Sequence, residues 1–95
     1  MSETRDAFVK KTKAKLDEWN AEITKLEAKA RQQEADAQLK IEEQIETLKK
    51  KRKSTEEDLD KLQQAGESAW EDLKTGVENA ANTLGEAIRS AQSRF

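Results

Sequence analysis

Apolar side chains recur along most of this chain at alternating intervals of three and four residues. In the first half the stripe consists of Val9, Thr12, Leu16, Trp19, Ile23, Leu26, Ala30, Gln33 and Ala37. It shifts register through Ile41 and resumes as Ile45, Leu48, Arg52, Thr55, Leu59, Leu62, Gly66 and Ala69. This spacing is typical of the narrow contact stripe of a left-handed coiled coil, locally unwound at the shift. A single helix cannot bury such a stripe, so some other helix must cover it.

The composition favours helices over strands or turns. The 95 residues include no proline and only three glycines, and 40% of them are charged. Ala, Glu, Lys, Gln and Leu, the best helix formers, are abundant. The low hydrophobic share would also fit a disordered chain. The helix-forming composition instead indicates the coiled-coil class, so we expect one all-α unit.

Two places along the stripe carry signals that end a helix. Ser54 follows a basic run and stands three residues before Glu57, the spacing of a capping box, but no Gly, Asn or Pro marks a turn there. Gly66 can adopt the left-handed conformation that ends helices, and Ser68 with Glu71 repeats the capping-box spacing. We therefore expect the helix to break at Gly66.

The resulting prediction is two helices of unequal length. A long coiled-coil helix occupies residues 1–65, helical from about Thr4 to Ala65 and about 90 Å long. A shorter amphipathic helix occupies residues 66–95. Its helical part is expected to begin at Ala69 and to end at Ser93.

Blocks of charge indicate how two such stripes pair. The basic run Lys49–Lys53 would face its own copy in a parallel dimer, and like charges at close range cost free energy. Folding the pattern about Glu34 and Ala35 instead places basic residues opposite acidic ones. The charges expected to set this antiparallel orientation are Lys49, Lys50, Lys51, Arg52, Lys53, Asp17, Glu18 and Glu22.

Two arrangements give this antiparallel pairing. One is a homodimer of long helices that cross near residue 35, and the other is a hairpin within one chain that turns at 32–36. The sequence favours the dimer, because strong helix formers occupy the turn that the hairpin requires. In either arrangement the expected seam is Val9, Leu16, Trp19, Ile23, Leu26, Ile45, Leu48, Leu59 and Leu62.

The last 28 residues carry a broader apolar face than the coiled-coil stripe. Its main members are Trp70, Leu73, Val77, Leu84, Ile88 and Phe95. Gly76 and Gly85 each cost roughly 1 kcal/mol of helix stability relative to Ala, so this helix is expected to order on contact. The face either packs back onto the long helix or another subunit, or binds a membrane surface or a protein partner.

The residue types present restrict the chemistry of this chain. No cysteine and no histidine is present, which excludes disulfides and metal sites built on those residues. No nucleophile stands beside a base and no phosphate-binding loop exists, so we expect neither an enzyme nor a cofactor. The group Glu42, Glu43 and Glu46 would hold a divalent cation only weakly. Nucleic acid is a disfavoured partner, because acids follow the basic run at once and no aromatic residue is interleaved.

Location is predicted from the absence of sorting signals. The first residues lack the apolar run of a secretory signal, and no window is apolar enough to span a bilayer. A cytoplasmic protein, with a membrane-peripheral location as the alternative, is expected.

Two segments resemble a group of short bacterial coiled-coil-domain proteins. These are KAKLDEWNAEITKLEAKA (13–30) and AGESAWEDLKTGVENA (65–80), together with the SRF ending. The resemblance implies a helical bacterial protein and carries no functional residues. The function expected from the sequence is a non-enzymatic structural or interaction protein that forms homodimers. The alternative is a lipid-surface or stress-protective protein acting through residues 68–95.

Overall fold

Three helices of similar length form an up-down-up bundle. The structure, a computed structural model, describes the backbone of residues 2–94 and the side chains of residues 4–94. The helices are α1 (Ser2–Arg31), α2 (Ala35–Gln64) and α3 (Glu67–Arg94), and no strand occurs in the described residues. The bundle measures 51 × 18 × 16 Å, close to the length of a 30-residue helix. The all-α prediction is confirmed.

The single long helix expected over residues 4–65 is wrong. α1 ends at Arg31 and α2 begins at Ala35, with Glu34 extended at φ −65° and ψ 158°. The N–H groups of Gln32 and Gln33 donate to carbonyls three residues earlier, each at 3.1 Å, and tighten the last turn. The hairpin, ranked second from the sequence, is therefore the arrangement within this chain.

Long-range packing explains why the helix stops without a turn signal. Helix propensities of Gln and Glu differ from Ala by only a few tenths of a kcal/mol per residue. Burying one Leu or Ile side chain contributes about 1.5–3 kcal/mol. A turn that lets α1, α2 and α3 cover one another is favoured over an isolated continuous helix.

The second break lies where the sequence places it but has a different geometry. α2 ends at Gln64, Ala65 is extended, and α3 begins at Glu67, whereas the helix is continuous through Ser54. Gly66 was expected in the left-handed conformation, which is wrong because no residue described has positive φ. Its carbonyl accepts hydrogen bonds from the N–H groups of Ala69 and Trp70, both at 3.2 Å. Ser68 lies inside the first turn of α3 rather than at its cap.

The core runs along the axis of the bundle and draws on all three helices. Its buried members are Val9, Leu16, Ile23, Leu26, Ala30, Ile41, Ile45, Leu48, Leu59, Leu62, Trp70, Val77, Leu84, Ile88 and Ala91. The threonines of the stripe are buried too, and their hydroxyls donate within their own helix: Thr12 to the carbonyl of Phe8 (2.9 Å), Thr55 to that of Lys51 (2.8 Å). The apolar stripe is thus covered within one chain.

Candidate functional site

The seam predicted for self-association lies inside the bundle. Every seam residue is buried except Trp19, which is half-buried beside α3. Two side-chain hydrogen bonds show that α1 and α2 run antiparallel: Lys49 donates to Glu27, and Arg52 donates to Asn20. α3 covers the remaining side of the seam. A partner cannot reach these side chains unless the bundle exchanges or opens its helices.

Polar contacts between α1 and α2 border the seam. Lys49 Nζ lies 3.0 Å from Glu27 Oε2, and both side chains are about a third exposed, at 37% and 35%. The Arg52 guanidinium donates to the Asn20 side-chain oxygen, and its Nε lies 3.6 Å from Glu56 Oε1 on the same helix. Exposed ion pairs contribute less than about 1 kcal/mol each to the free energy of folding. The main effect of these contacts is therefore on the register of α1 against α2.

The basic block does not contact the acids expected from the sequence. Among the described residues, none of its five members forms an ion pair within 4.0 Å with Asp17, Glu18 or Glu22. The acidic partners are Glu27 and Glu56 instead, while Lys50, Lys51 and Lys53 are exposed. The predicted pairs assumed that the chain folds symmetrically about Glu34 and Ala35. With the turn at 32–34, α1 and α2 pair several residues out of that register.

Glu22, the third of these acids, takes part in a hydrogen bond between α1 and α3. Its carboxylate accepts a hydrogen bond from the side-chain amide of Gln92 and lies 3.4 Å from Lys25 Nζ. Asp17 and Glu18 are exposed on α1. The acidic cluster therefore divides between solvent and the α3 interface.

The apolar face of the C-terminal helix packs into the core. Trp70, Val77, Leu84 and Ile88 are buried and Leu73 is half-buried. Phe95, the last residue assigned to this face, lies outside the described residues. The face predicted for lipid or a partner is thus covered by α1 and α2.

One exposed hydrophobic side chain lies outside every predicted site. Leu39 is 58% exposed, and within the described part of the chain it is the large apolar residue that the bundle leaves uncovered. It stands four residues after the start of α2, beside the turn at 32–34. Its position off the 3–4 stripe is the sequence signal that would have singled it out.

Among the described residues there is no group of side chains that could hold a metal ion and no helix that could span a membrane. Glu42, Glu43 and Glu46 do not form a metal-holding group, nor do any other acidic side chains within residues 4–94. Glu42 accepts a hydrogen bond from Gln38 at 2.9 Å. No helix between residues 2 and 94 is long and apolar enough to cross a bilayer.

Comparison of the chain with models of protein families, with curated proteins and with solved structures found no match.

Proposed function

We propose that this chain is a non-enzymatic structural and interaction protein that self-associates by exchanging helices. In the proposed homodimer, α1 and α2 of each copy form one continuous helix. Two such helices lie antiparallel and cross near residues 36–38, midway between the paired positions 20 and 52 and between 27 and 49. α1 of one copy then packs on α2 of the other. The cytoplasmic location expected from the sequence belongs to this proposal.

The observation that carries this proposal is the composition of the turn. Gln32, Gln33 and Glu34 join two 30-residue helices, and none of the three is a glycine or proline. The three-and-four spacing of the stripe continues through the turn at the polar residue Gln33. Short hinge segments between packed elements favour exchange of those elements between copies. The buried contacts of α1 with α2, and the Lys49–Glu27 pair, would all re-form between two chains. The free-energy difference between the two states is then confined to the turn and the cost of association.

The start of α2 lowers the cost of straightening the turn. Glu34 occupies the N-cap position, but its side chain makes no capping hydrogen bond to the helix. Ser, Thr, Asp or Asn at this position would stabilise the helix end by about 1 kcal/mol, so the hairpin lacks that contribution. A continuous helix replaces the end by ordinary backbone hydrogen bonds.

Leu39 supports a second copy as the partner. It lies at the same end of the bundle as the turn, where two exchanged bundles meet. Covering its exposed surface adds a contact that the single chain does not have. The exposed Leu39 side chain and the turn that would straighten thus lie at the same end of the bundle.

Sedimentation equilibrium tests the proposal by measuring the solution mass over a range of about a hundredfold in concentration. Mass action populates a dimer as the concentration rises. We expect masses that approach twice 10.8 kDa at the upper end. Ala35→Pro is the matched variant, because proline suits the first position of α2 and an extended Glu34 before it. In a continuous helix the same proline costs about 3 kcal/mol or more.

Two outcomes would overturn helix exchange. A wild-type monomer at every concentration removes the dimer itself. A dimer that survives in Ala35→Pro shows association by another surface. Gln33→Ala with Glu34→Ala, which raises the helix propensity of the turn, should shift the equilibrium towards the dimer.

Disulfide cross-linking tests the geometry directly, since the natural chain has no cysteine. Glu27→Cys and Lys49→Cys are placed in separate chains, refolded together and oxidised. Exchange brings these positions together between copies and gives a cross-linked dimer of mixed chains. The same mixture in the Ala35→Pro background should stay uncross-linked.

A second candidate is the lipid-surface function expected from residues 68–95. It is supported by the two-residue link Ala65–Gly66, about which α3 could swing to uncover Trp70, Val77, Leu84 and Ile88. Cysteines in place of Glu22 and Gln92, which contact each other, would clamp α3 onto α1. Liposome co-sedimentation that appears only after reduction of this clamp would support the lipid function. Equal binding by clamped and reduced protein, or none by either, would exclude an opened bundle.

A further inference from the structure

A groove lies between α1 and α3, where the packing of these two helices leaves a gap. These two helices run parallel and approach each other along less of their length than either packs on α2. Near the N-termini of both helices they enclose a groove of about 290 Å³. Its lining residues are Phe8, Lys11, Thr12, Lys15, Lys74, Glu78, Ala81 and Asn82. The groove is therefore close to the lower size limit of sites for small molecules.

The floor of the groove is apolar. Phe8 is half-buried, and Thr12 and Ala81 are each 6% exposed. The Thr12 hydroxyl donates to the Phe8 carbonyl, so its proton is not available to a ligand. A ligand that lies on this floor gains by covering carbon rather than by hydrogen bonding.

The rim of the groove is positive. Lys11, Lys15 and Lys74 stand against a single acid, Glu78, and within residues 4–94 none of the three forms an ion pair within 4.0 Å. Lys74 Nζ lies 5.6 Å from the centroid of the Phe8 ring and 5.5 Å from that of Trp70, and Lys15 Nζ lies 6.0 Å from that of Trp19. An ammonium over an aromatic face is partly stabilised and held in place, but it keeps its hydrogen-bond donors for an anion.

A second basic depression on the surface has a different lining. It is lined by Arg5, Lys10 and Lys13 with Asp6, and it has no aromatic residue. The Arg5 guanidinium also uses a donor within the protein, because it donates to the Gly66 carbonyl at 3.3 Å. The α1/α3 groove thus combines an apolar floor with three lysines that form no ion pair within residues 4–94.

We infer that the α1/α3 groove binds a small anionic amphiphile, a free medium-chain carboxylate, with its alkyl part on Phe8, Thr12 and Ala81. The carboxylate lies between Lys11, Lys15 and Lys74. This site requires α3 packed on α1, so an opening of α3 would remove it, whereas it does not depend on helix exchange at residues 32–34.

Decanoate titrated into the isotopically labelled full-length protein tests the inference by NMR shift mapping. We expect saturable shifts centred on Phe8, Thr12 and Ala81, with a Kd on the order of 1 mM or tighter for a ligand of this size. Decyltrimethylammonium, which has the same alkyl chain and the opposite charge, should leave these resonances unshifted. Equal shifts from both ligands, or shifts centred elsewhere, overturn the inference.

Matched charge variants identify the rim. Lys11→Gln, Lys15→Gln and Lys74→Gln together should weaken decanoate binding about tenfold or more, since the anion loses its partners. The control replaces Lys50, Lys51 and Lys53 by Gln, the same charge change on exposed positions of α2, and should bind as the wild type does. Glu78→Gln removes the one acid of the rim and should tighten binding about two- to threefold. Unchanged affinity in both the rim triple variant and Glu78→Gln overturns the inference, and circular dichroism verifies that each variant is folded.

Discussion

The indole of Trp19 lies against the backbone of Gly85. A Cβ atom placed on Gly85 would stand 3.0 Å from Cζ2 and 3.3 Å from Cε2 of that ring. The missing side chain therefore makes room for Trp19 between α1 and α3. Gly85, which weakens α3 as an isolated helix, thus permits Trp19 of α1 to pack directly on the backbone of α3.

Gly85→Ala and Gly76→Ala separate helix propensity from this packing. No atom lies within 4 Å of a Cβ at Gly76 and its φ is not positive, so Gly76→Ala should stabilise the bundle by about 1 kcal/mol. Gly85→Ala has the same propensity gain, but displacing Trp19 costs about 1–3 kcal/mol, so we expect net destabilisation. Urea denaturation followed by circular dichroism measures both.

The Trp19→Ala background provides the control for this pair. Without the indole, Gly85→Ala should recover the stabilisation of about 1 kcal/mol seen at Gly76, which gives a coupling between Trp19 and Gly85 of about 1 kcal/mol or more. Additive effects in this double-mutant cycle would mean that the ring does not limit position 85.

Leu84→Ala should destabilise the bundle by about 2–5 kcal/mol, because its side chain is 0% exposed and its removal leaves a cavity. Leu39→Ala removes the same atoms from a side chain that is 58% exposed and should change the free energy of unfolding by less than about 0.5 kcal/mol. Thermal unfolding at low concentration, which favours the monomer over any dimer by mass action, compares the two. Similar losses at both positions would contradict the assigned core.

Replacing Thr55 by Val should stabilise the protein by up to about 1 kcal/mol. Thr55 is 1% exposed, and its hydroxyl donates only to the Lys51 carbonyl within the same helix. Valine keeps the β-branched shape and buries a methyl group there. Thr47→Val is the control, since the Thr47 hydroxyl makes the same type of bond on an exposed face, and we expect almost no change. A loss at position 55 would show that its hydroxyl contributes more than its packing.

Reversing the charges at Glu27 and Lys49 tests the register of α1 against α2. Glu27→Lys or Lys49→Glu alone brings like charges together and should cost about 0.5–1 kcal/mol, while the double reversal should restore most of that loss. Because both side chains are more than a third exposed, the differences should shrink as salt is raised towards about 1 M. Denaturant unfolding of the four proteins at low and high salt measures this coupling. A double variant no more stable than the weaker single variant would argue against the contact.

Local sequence determined much of the architecture. The 3–4 spacing places Leu16, Ile23, Ile45 and Leu59 on buried faces, and they are buried in the structure. The break near Gly66 was also visible, because a glycine weakens the helix where the stripe ends. These features depend on neighbours a few residues apart, and a sequence records such neighbours directly.

The turn at Gln32–Glu34 and the placement of α3 were decided only by tertiary structure. The three turn residues favour a helix locally, and their small propensities are outweighed when α1, α2 and α3 bury one another's stripes. The packing of the Trp19 indole on Gly85 likewise joins residues 66 positions apart, and nothing in the local pattern distinguishes Gly85 from Gly76. Periodicity shows which face of a helix must be covered. Which helix covers it depends on the summed contacts of the whole chain, because several pairings satisfy the same local pattern.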